Sequence, residues 1–234
     1  MTTTSRITKR QGSHRTTGQV VPLHTARTRR AASPKESVVS PSFALGWSLA
    51  LLGIIVLAPL LVAIAAMIKA SSPGPVLYRQ RRVGWDGRTF EILKFRSMAP
   101  APADEETYVP KDGEAPGGVE GLDRRTTVGR VLRRTSLDEL PQLFNVLRGE
   151  MALVGPRPER PEFVELFVSQ IDGYEDRHRV RAGITGWAQV HGLRGKTSIE
   201  ARAAADRWYV ENRSLWVDVK TLALTARAVM QPAE

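Results

Sequence analysis

The longest apolar stretch of the chain covers residues 43–68, FALGWSLALLGIIVLAPLLVAIAAMI, and contains no charged side chain. A helix needs roughly 20 apolar residues to cross a bilayer, so this stretch predicts a membrane helix. It is apolar on every side, which argues against a buried helix of a soluble core. Its length, and its start about 40 residues into the chain, argue against a cleavable signal peptide.

Two features favour a re-entrant hairpin at residues 42–70 over a helix that crosses the membrane. Lys and Arg residues lie on both sides of the stretch, and the positive-inside rule would keep both ends in the cytoplasm. They are Arg27, Arg29, Arg30 and Lys35 before it and Lys69, Arg79, Arg81 and Arg82 after it. Pro59 removes a backbone hydrogen bond and predicts a break between half-helices of about 16 and 9 residues. A crossing helix stays an alternative, because prolines are tolerated in membrane spans.

The pattern of residues 76–98 predicts two strands joined at a WDGR turn, because Asp-Gly between such segments is typical of a β-hairpin. Alternation places four side chains of the second strand on one face. They are Phe90, Ile92, Lys94 and Arg96. Two cations are therefore expected on an otherwise apolar face, whereas Arg79, Arg81 and Arg82 of the first strand are better suited to the membrane surface.

Helical spacing of apolar residues marks most of the remaining chain. The predicted helices are a short basic helix in TVGRVLRRTS, one in LPQLFNVL, and those at residues 163 to about 179, 199–212 and 215–230. Between hairpin and helices, residues 99–123 predict a surface loop, and RAGITGWAQVHGLRG predicts a compact loop that touches substrate or bilayer. The fold class is α+β, mainly helical with a small β-hairpin.

Two of these helices have faces that bear on function. In LPQLFNVL the apolar side is Leu140, Leu143, Phe144 and Leu147, with Gln142 and Asn145 on the polar side. In the last helix the stripe is Leu215, Val219, Leu222, Ala226 and Val229, with Trp208, Tyr209 and Trp216 near its start. The last helix suits the membrane interface or the protein core equally well.

Charge changes the picture mainly at the N-terminus. Residues 1–41 contain eight Lys or Arg and one Glu, a net charge of +7, out of +10 for the whole chain. A polybasic, Ser/Thr-rich segment without aromatic residues predicts a disordered tail. Such a tail suits nucleic acid or the anionic cytoplasmic face of a membrane. Cysteine is absent, which excludes disulfides and thiolate metal sites.

Asp138 and Glu139 stand side by side at the predicted start of the helix in TSLDELPQLFNVL. Ser136 and Glu139 fit a capping box, and Pro141 is tolerated in a first helical turn. The helix dipole is expected to hold these carboxylates ionised. An ionised Asp can attack phosphorus, and a neighbouring Glu can hold a hard divalent cation. Capping accounts for Glu139 alone, so a catalytic role and a purely structural role both stay open.

Cations flank this segment on both sides. Arg157 lies between Pro156 and Pro158, which restrict its backbone and favour a bidentate contact with an anion. Upstream, the basic helix carries arginines that suit phosphates, lipid headgroups or solvent. They are Arg130, Arg133 and Arg134.

Six consecutive motifs resemble one family. They are the Pro-broken apolar stretch, SPGPVLYRQRRVG, KFRSM, TSLDELPQLFNVLRGEMALVGPRPE, GITGWAQV and WYVENRSLWVDVKTLALT, together spanning about residues 43–226. The chain is thus similar to the bacterial sugar transferases, monotopic polyprenyl-phosphate phosphoglycosyl transferases that begin surface polysaccharide assembly. The resemblance implies a Mg²⁺-dependent transfer of sugar 1-phosphate from a UDP-sugar to undecaprenyl phosphate, with UMP released. It implies a catalytic domain at residues 71–234 on the cytoplasmic face of a bacterial inner membrane, in contact with membrane lipids.

The resemblance also implies roles for particular residues. Asp138 would be the nucleophile that forms a phosphosugar ester, and Glu139 would bind the metal with it. Pro59 would be the hairpin break. The implied substrate-binding residues are Lys94, Arg96, Pro156, Arg157, Pro158, Arg194 and Asp206.

Departures from the family pattern are Ala58 before the proline, Ala182 in place of a proline, and His191 in place of a frequent Asn. GLRGKTS is similar to relatives that transfer glucose or galactose phosphate. A membrane-anchored adaptor with a nucleic-acid-binding tail is the alternative of another class, although the motifs make nucleic acid an unexpected partner. A glycosyl transferase that releases UDP is a further alternative, and self-association into a homo-oligomer is left open.

Overall fold

The computed structural model describes residues 40–100, 102, 108, 110–117 and 122–229. The predicted tail therefore lies outside the described residues, apart from its last two, and so does much of the loop at residues 99–123. The helices are α1 (Pro41–Ser71), α2 (Thr127–Arg134), α3 (Gln142–Leu147), α4 (Pro161–Gln170), α5 (Trp187–Val190), α6 (Ile199–Asn212) and α7 (Leu215–Val229). The strands are β1 (Leu77–Val83), β2 (Thr89–Phe95), β3 (Met151–Val154) and β4 (Ala182–Thr185).

Helix α1 begins and ends at well-formed caps. Ser40 accepts a hydrogen bond from the Phe43 amide at 3.2 Å, and Pro41 occupies the first turn, where its missing N–H costs nothing. The helix runs through Pro59 to Ser71, so the prediction of two separate half-helices is wrong. A long helix can lose one hydrogen bond at a proline and still continue. Among the described residues, α1 alone is long and apolar enough to cross a membrane.

Both halves of α1 pack on the rest of the fold. In the first half, Trp47 donates its indole N–H to the Leu147 carbonyl at 3.1 Å, and Ala50 is fully buried beside Val146. In the second half, Ile64 and Ile68 are buried with Phe95 and Leu132. Other α1 side chains are exposed by more than half, among them Leu52, Ile55, Val56 and Val62. Helix α1 therefore leaves a broad apolar face uncovered along its length.

The predicted hairpin is confirmed. Strands β1 and β2 pair antiparallel, with Gln80 opposite Ile92. Asp86 and Gly87 turn the chain with φ of 55° and 71°. Asp and Gly adopt these left-handed backbone angles more readily than most residues.

A second, parallel pair was not predicted. Strands β3 and β4 align Met151 with Ala182 and Val154 with Thr185. The connection between them contains α4, which ends at Gln170 because the next residue, Ile171, is extended, and a separate 3-10 turn follows at Tyr174–Arg179 after Gly173 with φ of 71°. The prediction of one helix to about residue 179 is therefore wrong, and the predicted compact loop contributes β4 and α5. Pro156-Arg157-Pro158 follows β3 after one residue, Gly155.

Helix α3 is inverted relative to its predicted faces. Gln142, Asn145 and Val146 are fully buried, whereas Phe144 of the predicted apolar stripe is exposed. Asn145 accepts from the Leu93 amide at 3.0 Å and donates to the Glu91 carbonyl at 2.7 Å. A buried amide side chain satisfied in this way fixes β2 against α3.

Helices α6 and α7 match the predicted bounds, and α7 also buries its polar side. Asp218 and Thr221 are buried, and the Tyr209 hydroxyl donates to Asp218 at 2.7 Å. Trp216 is 73% exposed, and Leu215 and Val219 are exposed as well. The start of the predicted α7 stripe is therefore exposed, whereas Leu222 of the same stripe packs on the buried cluster of Val154, Val180 and Tyr209.

Candidate active site

Glu139 is the centre of a partly buried ion cluster. Its Oε1 accepts from Lys94 Nζ at 2.8 Å and from Arg157 Nη2 at 2.6 Å, and its Oε2 accepts from Arg157 Nη1 at 3.3 Å. Strand β2, the 3-10 turn Leu137–Glu139 and the loop after β3 each supply one member. The structure thus brings Lys94 and Arg157 to the two acids, as the sequence predicts.

The turn that carries the acids is not the predicted capping box. Ser136 adopts φ of 56° and makes no side-chain cap, and Pro141 stands between the 3-10 turn and α3. The carboxylate of Glu139 is instead engaged by Lys94 and Arg157. The capping explanation for Glu139 is therefore wrong, because its side chain points to the cations and not back along the helix.

Asp138 is buried beside this cluster, with 7% of its surface exposed. Burial raises the pKa of the Asp138 carboxyl, the charge of Glu139 raises it further, and Lys94, Arg133 and Arg157 oppose the rise. The sequence-based expectation that the helix dipole keeps the acid readily ionised is wrong in direction. Desolvation outweighs it here, since Asp138 lies in a short 3-10 turn rather than in the first turn of a long helix.

The pKa of Glu139 is shifted in the direction opposite to that of Asp138. Burial would raise the pKa of Glu139, but Arg157 and Lys94 outweigh burial and hold it well below its usual range. Glu139 in turn raises the pKa of Arg157, while burial lowers that of Lys94. With Asp138 ionised, the four groups carry no net charge. They cannot by themselves neutralise an incoming diphosphate.

This charge balance bears on whether a metal fits. Among the described residues, no group of three or more His, Cys, Asp or Glu side chains is arranged to hold a metal ion. Mg²⁺ is commonly bound by one or two carboxylates together with substrate phosphates, so Asp138 and Glu139 fit as the protein's share of such a site. Glu139 raises the pKa of the adjacent Asp138 carboxyl, and two neighbouring carboxylates of this kind are a suitable donor set for a cation.

The other predicted site residues lie in different surroundings. Arg194 donates to the Gln189 carbonyl at 3.2 Å and is near enough to Arg157 and Glu139 for their charges to act on it. Arg96 does not join the cluster, because its guanidinium donates to the Ser72 and Pro73 carbonyls, both at 2.8 Å, at the end of α1. Asp206 is buried in an ion pair with Arg177.

Pattern reasoning overlooked several residues around the site. Two buried ion pairs lie behind Arg157, one between Arg177 and Asp206 and one between Arg202 and Glu159. Nothing in the sequence near Arg177, Glu159 or Arg202 indicates these partners. Arg82 was assigned to the membrane surface with Arg79 and Arg81. It is instead half-buried and donates to the Pro158 carbonyl at 3.1 Å and to Glu159 at 3.3 Å.

Known proteins resemble this chain over most of its length. The family model described as Bacterial sugar transferase matches residues 42–232. The UDP-glucose:undecaprenyl-phosphate glucose-1-phosphate transferase of Escherichia coli (strain K12) is 44% identical over 181 residues, 76% of this chain and 37% of that protein. The UDP-N-acetylgalactosamine-undecaprenyl-phosphate N-acetylgalactosaminephosphotransferase of Aeromonas hydrophila is 43% identical over 183 residues, 77% of this chain and 41% of that protein.

A relative from Caulobacter vibrioides, named UDP-glucose:undecaprenyl-phosphate glucose-1-phosphate transferase, is 44% identical over 178 residues, 74% of this chain and 63% of that protein. The chain therefore spans less than two thirds of the length of each of these three relatives. The family match at residues 42–232 nevertheless covers every element that contributes to the ion cluster.

Proposed function

Because this chain belongs to the bacterial sugar transferase family, we propose that it transfers a sugar 1-phosphate from a UDP-sugar to undecaprenyl phosphate and releases UMP. The names of relatives 43–44% identical to it support both substrates. The observation that carries the proposal is the buried Asp138 beside the Lys94–Glu139–Arg157 cluster. It is an arrangement of two cations and one carboxylate that has no ion pair within the described part of the chain, and it is suited to attack on a phosphate.

In the first step, a carboxylate oxygen of Asp138 attacks the phosphorus that carries the sugar. A bond forms between that oxygen and phosphorus, while the bond from phosphorus to the bridging oxygen breaks and UMP leaves with the electron pair. The product on the protein is a phosphosugar ester of Asp138. Asp138 attacks as a carboxylate, so this step needs no general base, and Lys94, Arg133 and Arg157 favour the ionised form of Asp138.

Lys94 and Arg157 reduce the repulsion between this carboxylate and the anionic donor. Both now bind Glu139, so they are already directed into the site before the donor arrives. Phosphoryl transfer depends mainly on positioning and charge stabilisation, which this arrangement supplies at little reorganisation cost. Asp138 and Glu139 would hold Mg²⁺, which when bound neutralises phosphate charge and orients the diphosphate.

In the second step, a phosphate oxygen of undecaprenyl phosphate attacks the same phosphorus, and the Asp138 carboxylate leaves unchanged. The soluble nucleotide has departed by then, so donor and lipid use the site in turn. Outward-facing apolar residues on α1, α3 and α7 lie on the elements around the site, among them Phe144, Trp216 and Val219. They support a site that meets the lipid phosphate at the surface of the bilayer.

We propose that α1 enters and leaves the same leaflet, with the catalytic fold on the cytoplasmic face of a bacterial inner membrane. Both halves of α1 pack on one folded unit, through Ala50 and through Ile64 and Ile68. A straight crossing helix would carry one of these packed surfaces into the bilayer core. Bending at Pro59, where one backbone hydrogen bond is missing, would bring both ends to the same side.

The sugar is a separate question. Relatives of nearly equal identity are named for glucose and for N-acetylgalactosamine, so identity does not select between them. A panel of UDP-sugars, scored by UMP released in the presence of Mg²⁺ and undecaprenyl phosphate, identifies the donor.

The decisive experiment uses that donor without the lipid. Intact-mass measurement should show the wild-type protein with one added sugar phosphate, and D138N should show none and no turnover. D123N, which changes an exposed aspartate outside the cluster, should behave as wild type. UDP as the released nucleotide would indicate a glycosyl transferase instead, and a wild-type protein inert to every donor would favour the adaptor.

A further inference from the structure

A buried ion pair joins α6 to the main chain of Arg157. Arg177 Nη2 donates to Asp206 Oδ2 at 2.8 Å and to the carbonyl oxygen of Arg157 at 2.7 Å. The Arg177 and Asp206 side chains are 3% and 2% exposed. Tyr174, also buried, accepts a hydrogen bond from the same guanidinium. Arg157 is thus held twice, at its carbonyl by Arg177 and at its guanidinium by Glu139.

A second buried ion pair holds Pro158 and Glu159, the two residues after Arg157. Glu159 accepts from Arg202 at 3.4 Å and from Arg82 at 3.3 Å. Arg82 also donates to the Pro158 carbonyl at 3.1 Å. Arg202 and Asp206 are four residues apart on α6 and therefore lie on one face of that helix. One helix face thus anchors the loop that carries Arg157.

The two pairs explain how a loop residue can be directed accurately. The prolines on either side of Arg157 restrict the local backbone but cannot set where the loop lies relative to the acids. A buried ion pair contributes little net stability compared with apolar packing of similar volume, but it is strongly directional. Holding the Arg157 carbonyl fixes the peptide from which its side chain extends toward Glu139.

We infer that Asp206 and Arg177 are positioning residues for the donor-binding Arg157. Their burial argues against the direct substrate contact that the sequence resemblance implies for Asp206. They act through the Arg157 peptide, so their effect should exist only while the Arg157 side chain is present. The inference rests on the proposed function, since it assigns a role within the proposed donor site.

A double-mutant cycle tests this dependence. D206N should lower kcat/KM for the donor, measured by UMP release, by about 10- to 100-fold, as expected for a displaced catalytic group. D206N should also weaken the binding of UDP, measured by calorimetry in the presence of Mg²⁺. In an R157A background the further loss from D206N should be less than about twofold in both measurements. D176N, an exposed partner of Arg179, is the matched control and should change neither.

Equal losses in the two backgrounds would overturn the inference, because a direct contact or a general loss of structure adds to the effect of R157A. R177K provides a second route if D206N does not fold. R177K keeps the positive charge beside Asp206 and loses the planar guanidinium that reaches the Arg157 carbonyl. The decrease in kcat/KM that R177K causes should therefore also vanish in the R157A background. Wild-type protein that releases no UMP from any donor would reject the proposed function itself, whereas an active wild type with an additive cycle rejects this inference alone.

Discussion

At the scale of single residues, the opposite pKa shifts of two neighbouring acids divide their roles. Glu139 is held ionised by Lys94 and Arg157, while burial raises the pKa of Asp138. In the proposed mechanism, the group that bonds to phosphorus is thus the one without a direct ion-pair partner among the described salt bridges, and its neighbour keeps the cations in place. In this mechanism Asp138 attacks only as a carboxylate.

The rate of adduct formation should therefore fall as pH decreases through the raised pKa of Asp138. This fall, the acid limb of the pH–rate profile, should be centred at a higher pH than the pKa near 3.9 of an ordinary aspartate. Lys94 lowers the pKa of Asp138, so K94M should move the limb to still higher pH as well as slow the reaction. Rapid-quench measurement of adduct from pH 4 to 9, roughly the range in which carboxyl and histidine groups titrate, checks both points. K111M changes an exposed lysine and should leave the limb in place.

The same residues show where pattern reasoning worked and where it failed. Asp138, Glu139, Lys94 and Arg157 could be found because each stands in a short, distinctive motif. Whether Glu139 caps the helix or pairs with the cations could not be decided from the sequence, because both arrangements are compatible with the same local residues. Only the positions of β2 and of the loop after β3 decide between them.

At the scale of elements, close backbone approach determines how the short helices pack. A Cβ at Gly129 in α2 would overlap the Ser97 carbonyl just after β2, which also accepts from the Thr126 amide at 3.1 Å. The neighbouring carbonyl is main chain and cannot move aside as a side chain would. This contact sets α2 directly beside the strand that carries Lys94.

G129A should therefore destabilise the fold by about 1–3 kcal/mol or more, the usual cost of overpacking. Thermal unfolding in detergent should show a lower midpoint for this variant. G46A is the control, because a Cβ there would meet the Leu153 side chain at an ordinary 3.7 Å. An unchanged midpoint for G129A would mean that α2 does not approach Ser97 so closely.

The topology of α1 is also an element-scale question. The chain has no cysteine, so single cysteines at Ser42 and Ser71 can be labelled without background. Ser71 is preferred to Ser72, whose hydroxyl accepts from Arg96. A membrane-impermeant thiol reagent should reach both positions only from the cytoplasmic side. Labelling from opposite sides would establish a crossing helix.

At the scale of the whole molecule, the outward apolar residues of α3 and α7 belong to elements that also bury polar side chains inward. Asn145 and Asp218 are buried, while Phe144 and Val219 are exposed. A soluble protein would arrange these pairs the other way round. This reversal is expected where one side of the fold faces lipid.

Charge on the exposed side of α7 should then affect the two half-reactions differently. W216D and L215D should leave adduct formation with the soluble donor unchanged and slow transfer to undecaprenyl phosphate in vesicles by about tenfold, equivalent to roughly 1.4 kcal/mol. V168D, on α4, is a matched apolar-to-acid control. Equal slowing of both steps would indicate a packing defect instead of lost lipid contact.

The sequence alone determined the long apolar helix, the hairpin, the bounds of α6 and α7 and the acids and cations of the candidate site, because apolar runs, an Asp-Gly turn and short motifs are local signals. The tertiary structure decided that α1 continues through Pro59, that β3 and β4 pair, and that α3 and α7 turn their polar sides inward. It also decided that Arg96 caps α1 and that Arg177 and Asp206 hold the peptide of Arg157. These outcomes depend on contacts between residues far apart in the chain, and on desolvation at Asp138, neither of which is encoded in a short window of sequence.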